Sequence, residues 1–242
     1  EQEKEVKEYV SVDVETTGLA PKQDKIIEIG AVRVRDGQIV GSFTSFVNPG
    51  RILPAHITEL TGILQEQVDE AETMESVLPA FLEFAGDLPL VGHRILFDYG
   101  FLKRAAVNMR LDFERSGVDT LKLSRQFLSE LPIRRLSALC EHFEIPIQAH
   151  RALEDARATH ILYEKLLELY GTGPDRGKAF EPVPLICKVK RESPATKAQK
   201  ERLKKLFSMH QLVPEYDVEM LTKNEASRQI DRILAAYGSL QK

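Results

Sequence analysis

The chain of 242 residues is poor in cysteine, lacks any apolar run of membrane length, and carries no surplus of positive charge. Its two cysteines, Cys140 and Cys187, exclude a disulfide framework. Cys140 falls in the set Leu136, Leu139, Cys140 and Phe143, whose spacing marks a buried helix face. A reducing, cytoplasmic setting is the simplest expectation. No stretch approaches the ~20 apolar residues that span a bilayer, and the opening EQEKEVKEYV is charged, so neither a membrane segment nor a targeting signal is expected. With 43% hydrophobic and 29% charged residues, general disorder is excluded. The formal net charge of −4 argues by itself against a nucleic-acid partner. Its distribution does not: between Arg176 and Lys205 ten Lys and Arg stand against three Asp and Glu, whereas residues 1–170 hold nineteen against twenty-eight.

Residue patterns divide the chain. In VSVDVETTGL, strand alternation turns Val10, Val12 and Val14 to one face and Ser11, Asp13 and Glu15 to the other. KIIEIGAVRVRDGQIVGSFTSFVNPG reads as two β-rich runs joined at Asp36-Gly37, a dipeptide suited to a tight hairpin. Pro54 to Gly62 predicts a short helix stopped by glycine, Met74 to Phe84 another, and Leu88 to Val91 a short strand ending at Gly92-His93. Further helices are expected from about Phe97 to Met109, after Asp119-Thr120, over Leu136 to Phe143, and from Ala152 to Tyr170, closing at Gly171. Strands first and helices for both faces afterwards indicate an α/β domain on a mixed sheet, assigned to residues 1–171. Residues 172–195, rich in Gly, Pro and charge, read as a basic linker. Residues 196–242 read as a helical hairpin, with capping boxes Thr196/Gln199 and Thr222/Glu225 and a stop at Gly238. A hairpin of about forty residues cannot build a self-sufficient core and needs a surface to pack on.

Chemistry enters with the acids. Asp13 and Glu15 point the same way at a strand end, beside the turn formers Thr16, Thr17 and Gly18, and two such anions suit a divalent cation. Asp98, in GHRILFDYGFL, opens a helix after a strand and taken alone suits an N-cap, as does Asp119. In HRALEDA, Asp155 lies one turn into the last long helix and His150 just before it. Four carboxylates brought together repel strongly, and buried like charges either take up protons or find cations. Two divalent ions balance four negative charges. Oxygen ligands favour Mg²⁺ or Mn²⁺, and two ions about 3.5–4 Å apart can clamp the attacking and leaving oxygens of an in-line phosphoryl displacement.

In order, the chain reads Asp-x-Glu-Thr-Thr-Gly, then Phe-Asp-x-x-Phe-Leu, then His-x-x-x-x-Asp. This resembles the DEDDh group of the DnaQ-like 3′–5′ exonucleases over about residues 8–170, most closely the proofreading domains of bacterial replicative polymerases. IIEIGAVRVRDGQI, SFVNPGRILPAHITELTGI and HRALEDARATH carry the likeness further. One departure stands out: the family often has His-Asn-Ala before its second motif, where this chain has His93-Arg94-Ile95, leaving Arg94 to phosphate or to solvent. The resemblance implies a ribonuclease H-like fold. It implies that Asp13 is shared by two metal ions, that Glu15 and Asp155 serve the water-activating one, and that Asp98 completes the other. It makes His150 the general base, a role an imidazole with its ordinary pKa near 6.5 suits. For the terminal nucleotide it implies Thr16, Thr17, Gly18 and Leu19, with Thr61, Gly62, Ile63 and Phe97 around the pocket. Ordinary core packing remains open for Leu19, Ile63 and Phe97.

The expected activity is removal of nucleoside 5′-monophosphates from 3′ ends of single-stranded or frayed DNA, in proofreading or repair. An RNA 3′–5′ exonuclease of the RNase T or oligoribonuclease kind is the alternative, since no residue settles tolerance of a 2′-OH. A nucleic-acid-binding or polymerase-docking protein with secondary nuclease activity is a third possibility, supported by the basic segment and the hairpin.

Overall fold

The protein is described by a computed structural model for residues 8–172 and 177–238. Residues 1–7, the Gly-Pro stretch 173–176 of the expected linker and the last four residues lie outside that description. The elements in chain order are β1 (Glu8–Thr16), β2 (Ile26–Arg35), β3 (Gln38–Phe46), α1 (Ala55–Thr61), α2 (Gln65–Asp69), α3 (Met74–Ala85), β4 (Leu90–Gly92), α4 (Leu96–Asn108), β5 (Ser116–Asp119), α5 (Thr120–Phe127), α6 (Leu136–His142), α7 (Ala152–Tyr170), β6 (Val183–Pro184), α8 (Lys197–His210) and α9 (Lys223–Tyr237). The strands form one mixed sheet in the order β3-β2-β1-β4-β5-β6. β1, β2 and β3 run antiparallel, β1, β4 and β5 run parallel, and β6 closes the far edge antiparallel. Asp36 and Gly37 turn the first hairpin with φ of 48° and 73°, the left-handed geometry that a two-residue turn between twisted strands requires.

Strand alternation distributes the core as expected. Val10, Val12 and Val14 are buried with Leu78 and Phe81 of α3 and Tyr99 and Leu102 of α4. Tyr9, Val32 and Val91 face the other way, toward Leu139 and Cys140 of α6 and Leu162, Tyr163 and Leu166 of α7. On that second face Ser11 Oγ donates to the Ala156 carbonyl at 2.7 Å, so a polar residue of β1 is bonded directly to α7. The Tyr9 hydroxyl donates to Glu164 Oε1 (2.6 Å) and lies 2.7 Å from His160 Nδ1, fastening α7 two turns further on.

The start of α7 sits unusually close to β2. A Cβ at Gly30 would lie 2.1 Å from the Ala152 carbonyl carbon, so no other residue fits without displacing the helix. Glu28, 1% exposed, accepts from the Ala152 amide (3.1 Å) and from Arg151 Nη2 (3.0 Å). A strand side chain thus satisfies a first-turn amide that the helix's own N-cap residue, Arg151, leaves without a side-chain bond.

Three short elements escape the sequence patterns: α2, β5 and β6. Where a linker is expected, residues after 176 run over the domain. Phe180 is buried beside Phe127, their rings stacked 5.7 Å apart, Val183-Pro184 pair with β5, and Leu185 enters the core. The hairpin α8/α9 forms both capping boxes and its own cluster of Leu203, Leu206, Ala226, Ile230 and Ile233. It packs on the segment after β3: the Ile52 amide donates to Glu215 O and the Asp217 amide to Gly50 O, both at 2.7 Å. Glu225 takes Lys25 Nζ at 2.8 Å and Arg51 Nη2 at 3.1 Å. No helix among the described residues is long and apolar enough to cross a membrane.

Gly30→Ala is expected to destabilise the protein by about 1–3 kcal/mol or more in denaturant titration, because the clash is with backbone rather than with a side chain that can rotate away. Burial pushes the Glu225 carboxyl up, but Lys25, the Thr222 amide and Arg51 outweigh it and hold it below its ordinary 4.5. Its contribution is therefore complete above that ordinary value and lost as pH falls through the lowered one. On acidification below pH 4.5, the Tm of the native chain should fall more steeply than that of Glu225→Gln; parallel curves would contradict this.

Candidate active site

Four acids from three elements converge at the end of β1. Asp13 and Glu15, both half-buried, are carried by alternate positions of the strand. Asp98 comes from the first turn of α4 and is buried, its Oδ1 accepting from the Val14 amide at 3.0 Å. Val14 lies between Asp13 and Glu15, so this bond brings the helix carboxylate to the same strand end. The N-cap of α4 is Ile95, not Asp98, which frees Asp98 from the capping role that its sequence position suggests. Asp119 does cap α5, accepting from the Leu121 amide at 2.9 Å.

Asp155 arrives from the first turn of α7, buried, with Oδ2 accepting from the His150 amide at 3.1 Å. His150 holds a left-handed φ of 65° and is exposed at the rim. One ring nitrogen of His150 and one oxygen each from Glu15 and Asp155 lie within 4.8 Å of one another.

The electrostatics follow from this crowding. Burial, then the charges of Asp98, Asp155, Glu15 and Glu28, drive Asp13 well above the usual carboxylate range. Burial and the Asp155 charge push Glu15 up to about 8. Asp98 rises to about 8 through burial, although the Val14 amide works against it. Asp155 rises to about 6, again by burial, with the His150 amide opposing. Asp155 Oδ1 is buried and has no hydrogen-bond partner among the described residues. Mutually repelling carboxylates and an unmatched buried oxygen fit a hard divalent cation, for which Asp13, Glu15, Asp98 and Asp155 are the available oxygen donors.

Beside the acids, the loop after β1 is closed on itself. Thr16 Oγ1 donates to Gly18 O (2.7 Å), the Thr17 amide to Lys25 O (2.9 Å), and the Lys25 amide to Thr17 Oγ1 (3.0 Å). Asp24 accepts from Thr17 Oγ1 and from the Ala20 amide. Leu19, at the tip, is 80% exposed and is no part of the core. α1 ends at Thr61 and Gly62, where Thr61 Oγ1 donates to Ile57 O and accepts from the Ile63 amide. Ile63 is 1% exposed among Ile27, Leu53, Ile57 and Val68, and its amide is taken by Thr61. Phe97 is half-buried, its ring 5.1 Å from that of Phe101, with the Arg94 guanidinium 5.9 Å above it. Arg94 itself is exposed. His93 bonds Thr120 Oγ1 and Arg134 O, and burial lowers its pKa, so it is a neutral structural group.

Sequence reasoning passed over Glu28 and Arg151, which fix the start of α7 and with it Asp155 and His150. The available signal was a glutamate inside the apolar run IIEIG, since a charge in a central strand is rarely buried without a partner.

The chain matches the RNase T exonuclease family over residues 10–163. It belongs to that family. The PolC-type DNA polymerase III of Caldanaerobacter subterraneus is 45% identical to this exonuclease over 162 residues, which cover 66% of this chain and 12% of the polymerase. The exonuclease thus spans about an eighth of that relative. Among solved structures, exonuclease X in complex with 5′-overhanging duplex DNA is 25% identical with a TM-score of 0.56, over 72% of this chain and 99% of that one. The nuclease domain of 3′hExo, a DEDDh family member bound to rAMP, shares the fold at 20% identity and a TM-score of 0.60, covering 74% and 96%. The chain is therefore a member of the exonuclease family on a ribonuclease H-like fold.

Relief of carboxylate repulsion should be measurable without substrate. Mg²⁺ or Mn²⁺ at a hundredfold excess over Kd is expected to stabilise the exonuclease by about 2.7 kcal/mol, read as a rise in Tm. Asp13→Asn should raise the Tm of the metal-free protein and abolish the metal-dependent rise. A native Tm indifferent to both metals would contradict the assignment.

Proposed function

We propose that this chain removes nucleoside 5′-monophosphates from the 3′ ends of single-stranded or frayed DNA in the cytoplasm, in proofreading or repair. The convergence of Asp13, Glu15, Asp98 and Asp155 at one strand end, with His150 at its rim, is the observation that supports this function.

Two divalent cations, Mg²⁺ or Mn²⁺, held by these four acids would supply Lewis-acid stabilisation to both oxygens of an in-line displacement at phosphorus. His150 accepts the proton of the attacking water. Its exposure lets solvent reach it, and the bond from its amide to Asp155 holds its turn against α7. Thr16, Thr17 and Gly18 present backbone to the 3′-OH of the terminal nucleotide, and exposed Leu19 wedges against its base. Thr61, Gly62 and the edge of Phe97 close the other side, with Ile63 packed behind them. DNA is favoured over RNA by the likeness to a polymerase-associated relative and to a structure solved with a DNA duplex. The rAMP-bound neighbour supports RNA as the second substrate class. A replicative polymerase is the proposed working partner, with the C-terminal hairpin as its docking element.

The test offers 5′-labelled single-stranded DNA and RNA of one sequence to the purified chain with Mg²⁺, Mn²⁺ or chelator. A metal-dependent ladder shortening from the 3′ end of DNA is expected, and no ladder on either substrate would overturn the proposal. His150→Ala should lower kcat roughly 10²–10⁴-fold with the fold intact. Near-native turnover in that variant would remove His150 from the role of base.

A further inference from the structure

The loop that carries Thr16 to Leu19 is gripped from outside at its return limb. Arg51 Nη1 donates to the Gln23 carbonyl at 2.7 Å, and Arg51 Nη2 donates to Glu225 Oε1 at 3.1 Å. Lys25 Nζ lies 2.8 Å from the same Oε1. Glu225 stands in the first turn of α9, 5% exposed, with Oε2 accepting from the Thr222 amide at 2.9 Å. One tail carboxylate, fixed by its capping box, therefore holds two cations, of which one belongs to the loop and the other is bonded to the loop's backbone. Around it the tail pairs with residues 50–52, and Met220 fills the space over Gly50, where a Cβ would meet its sulfur at 2.6 Å. Removing one member of such a buried cluster leaves the others uncompensated.

We propose that the C-terminal hairpin is part of the exonuclease site, with Glu225 a positioning residue that fixes, through Lys25 and Arg51, the loop receiving the terminal nucleotide. This rests on the exonuclease activity proposed above. The family match ends at residue 163, so Glu225 and its hairpin lie beyond the matched region, whereas Lys25 and Arg51 lie within it. Releasing the grip leaves the four acids and His150 untouched. Capture of the 3′ end weakens while the chemical step on bound strand stands, which is a change in KM and not in kcat.

The test uses the full chain carrying Glu225→Gln, Lys25→Met, or both. Steady-state kinetics on 5′-labelled single-stranded DNA are paired with hydrogen exchange at the Ala20, Gln23 and Asp24 amides, all bonded within the loop. Glu225→Gln is expected to raise KM about 3- to 10-fold with kcat within twofold, and to speed exchange in the loop but not across β1 and β2. Lys25→Met should add little to it, because contacting residues are not additive. Unchanged KM and loop exchange would show a tail that is packed but uncoupled. A fall in KM would show that Glu225 screens Lys25 and Arg51 from the strand. Either result overturns the proposal. If exchange also rises across the sheet, Lys25→Met, which keeps the Glu225–Arg51 bond, decides by the same two readouts. Exchange needs no turnover, so a loosened loop in a chain inactive on DNA and RNA would fail the exonuclease proposal and leave the grip itself standing.

Discussion

Mutual repulsion among four carboxylates is the constraint around which this molecule is arranged. Asp13, Glu15, Asp98 and Asp155 are all raised above their ordinary pKa values, each first by burial. A free chain would separate them. The fold holds them together with bonds that do not depend on the acids' own charges: β1 sits within a six-stranded sheet, α4 is packed through Tyr99 and Leu102, and α7 is fastened to β1 by Ser11 and Tyr9. Energy from a large apolar core is thus used to maintain a locally unfavourable cluster, which is the expected signature of a site preorganised for cations.

The position of α7 decides the site's geometry, because the helix supplies Asp155 and its preceding turn supplies His150. Gly30 permits the close approach to β2, Glu28 occupies the Ala152 amide, and Asp155 in turn accepts from the His150 amide. Glu28 and Glu15 stand opposite each other in the β1/β2 register. The strand pair that presents an acid of the cluster on one strand therefore uses the neighbouring strand to place the helix that completes the cluster. At the other end of the cluster, the loop after β1 is closed internally by Thr17 and Asp24 and externally through Lys25 and Arg51.

Period and turn chemistry made much of this legible. The alternation in VSVDVETTGL divided Val10, Val12 and Val14 from Asp13 and Glu15 correctly, Asp36-Gly37 marked the hairpin, and the bounds of α7 follow its apolar spacing. β5 was hidden because Ser116–Asp119 is four residues long with a glycine inside, too short to display a period of two. Asp98 looked like a cap because N-cap preference is local, whereas its bond to Val14 spans 84 positions. Contacts of that kind leave no trace in a single sequence. The same holds for the Glu225–Arg51 bond across 174 positions, which a reading of the tail as a separate hairpin could not contain. Leu19 and Ile63, both open to core packing from sequence, differ in the fold, the first exposed and the second buried.

The reading proposed for Asp13, Glu15, Asp98 and Asp155 has all four acids acting together on divalent cations. Crystals of the full chain soaked in Mn²⁺ and measured at the manganese absorption edge test it most directly. Two anomalous peaks about 3.5–4 Å apart, in contact with carboxylate oxygens of Asp13, Glu15, Asp98 and Asp155, are expected. A cleft without manganese density, or peaks held by other residues, would contradict the account.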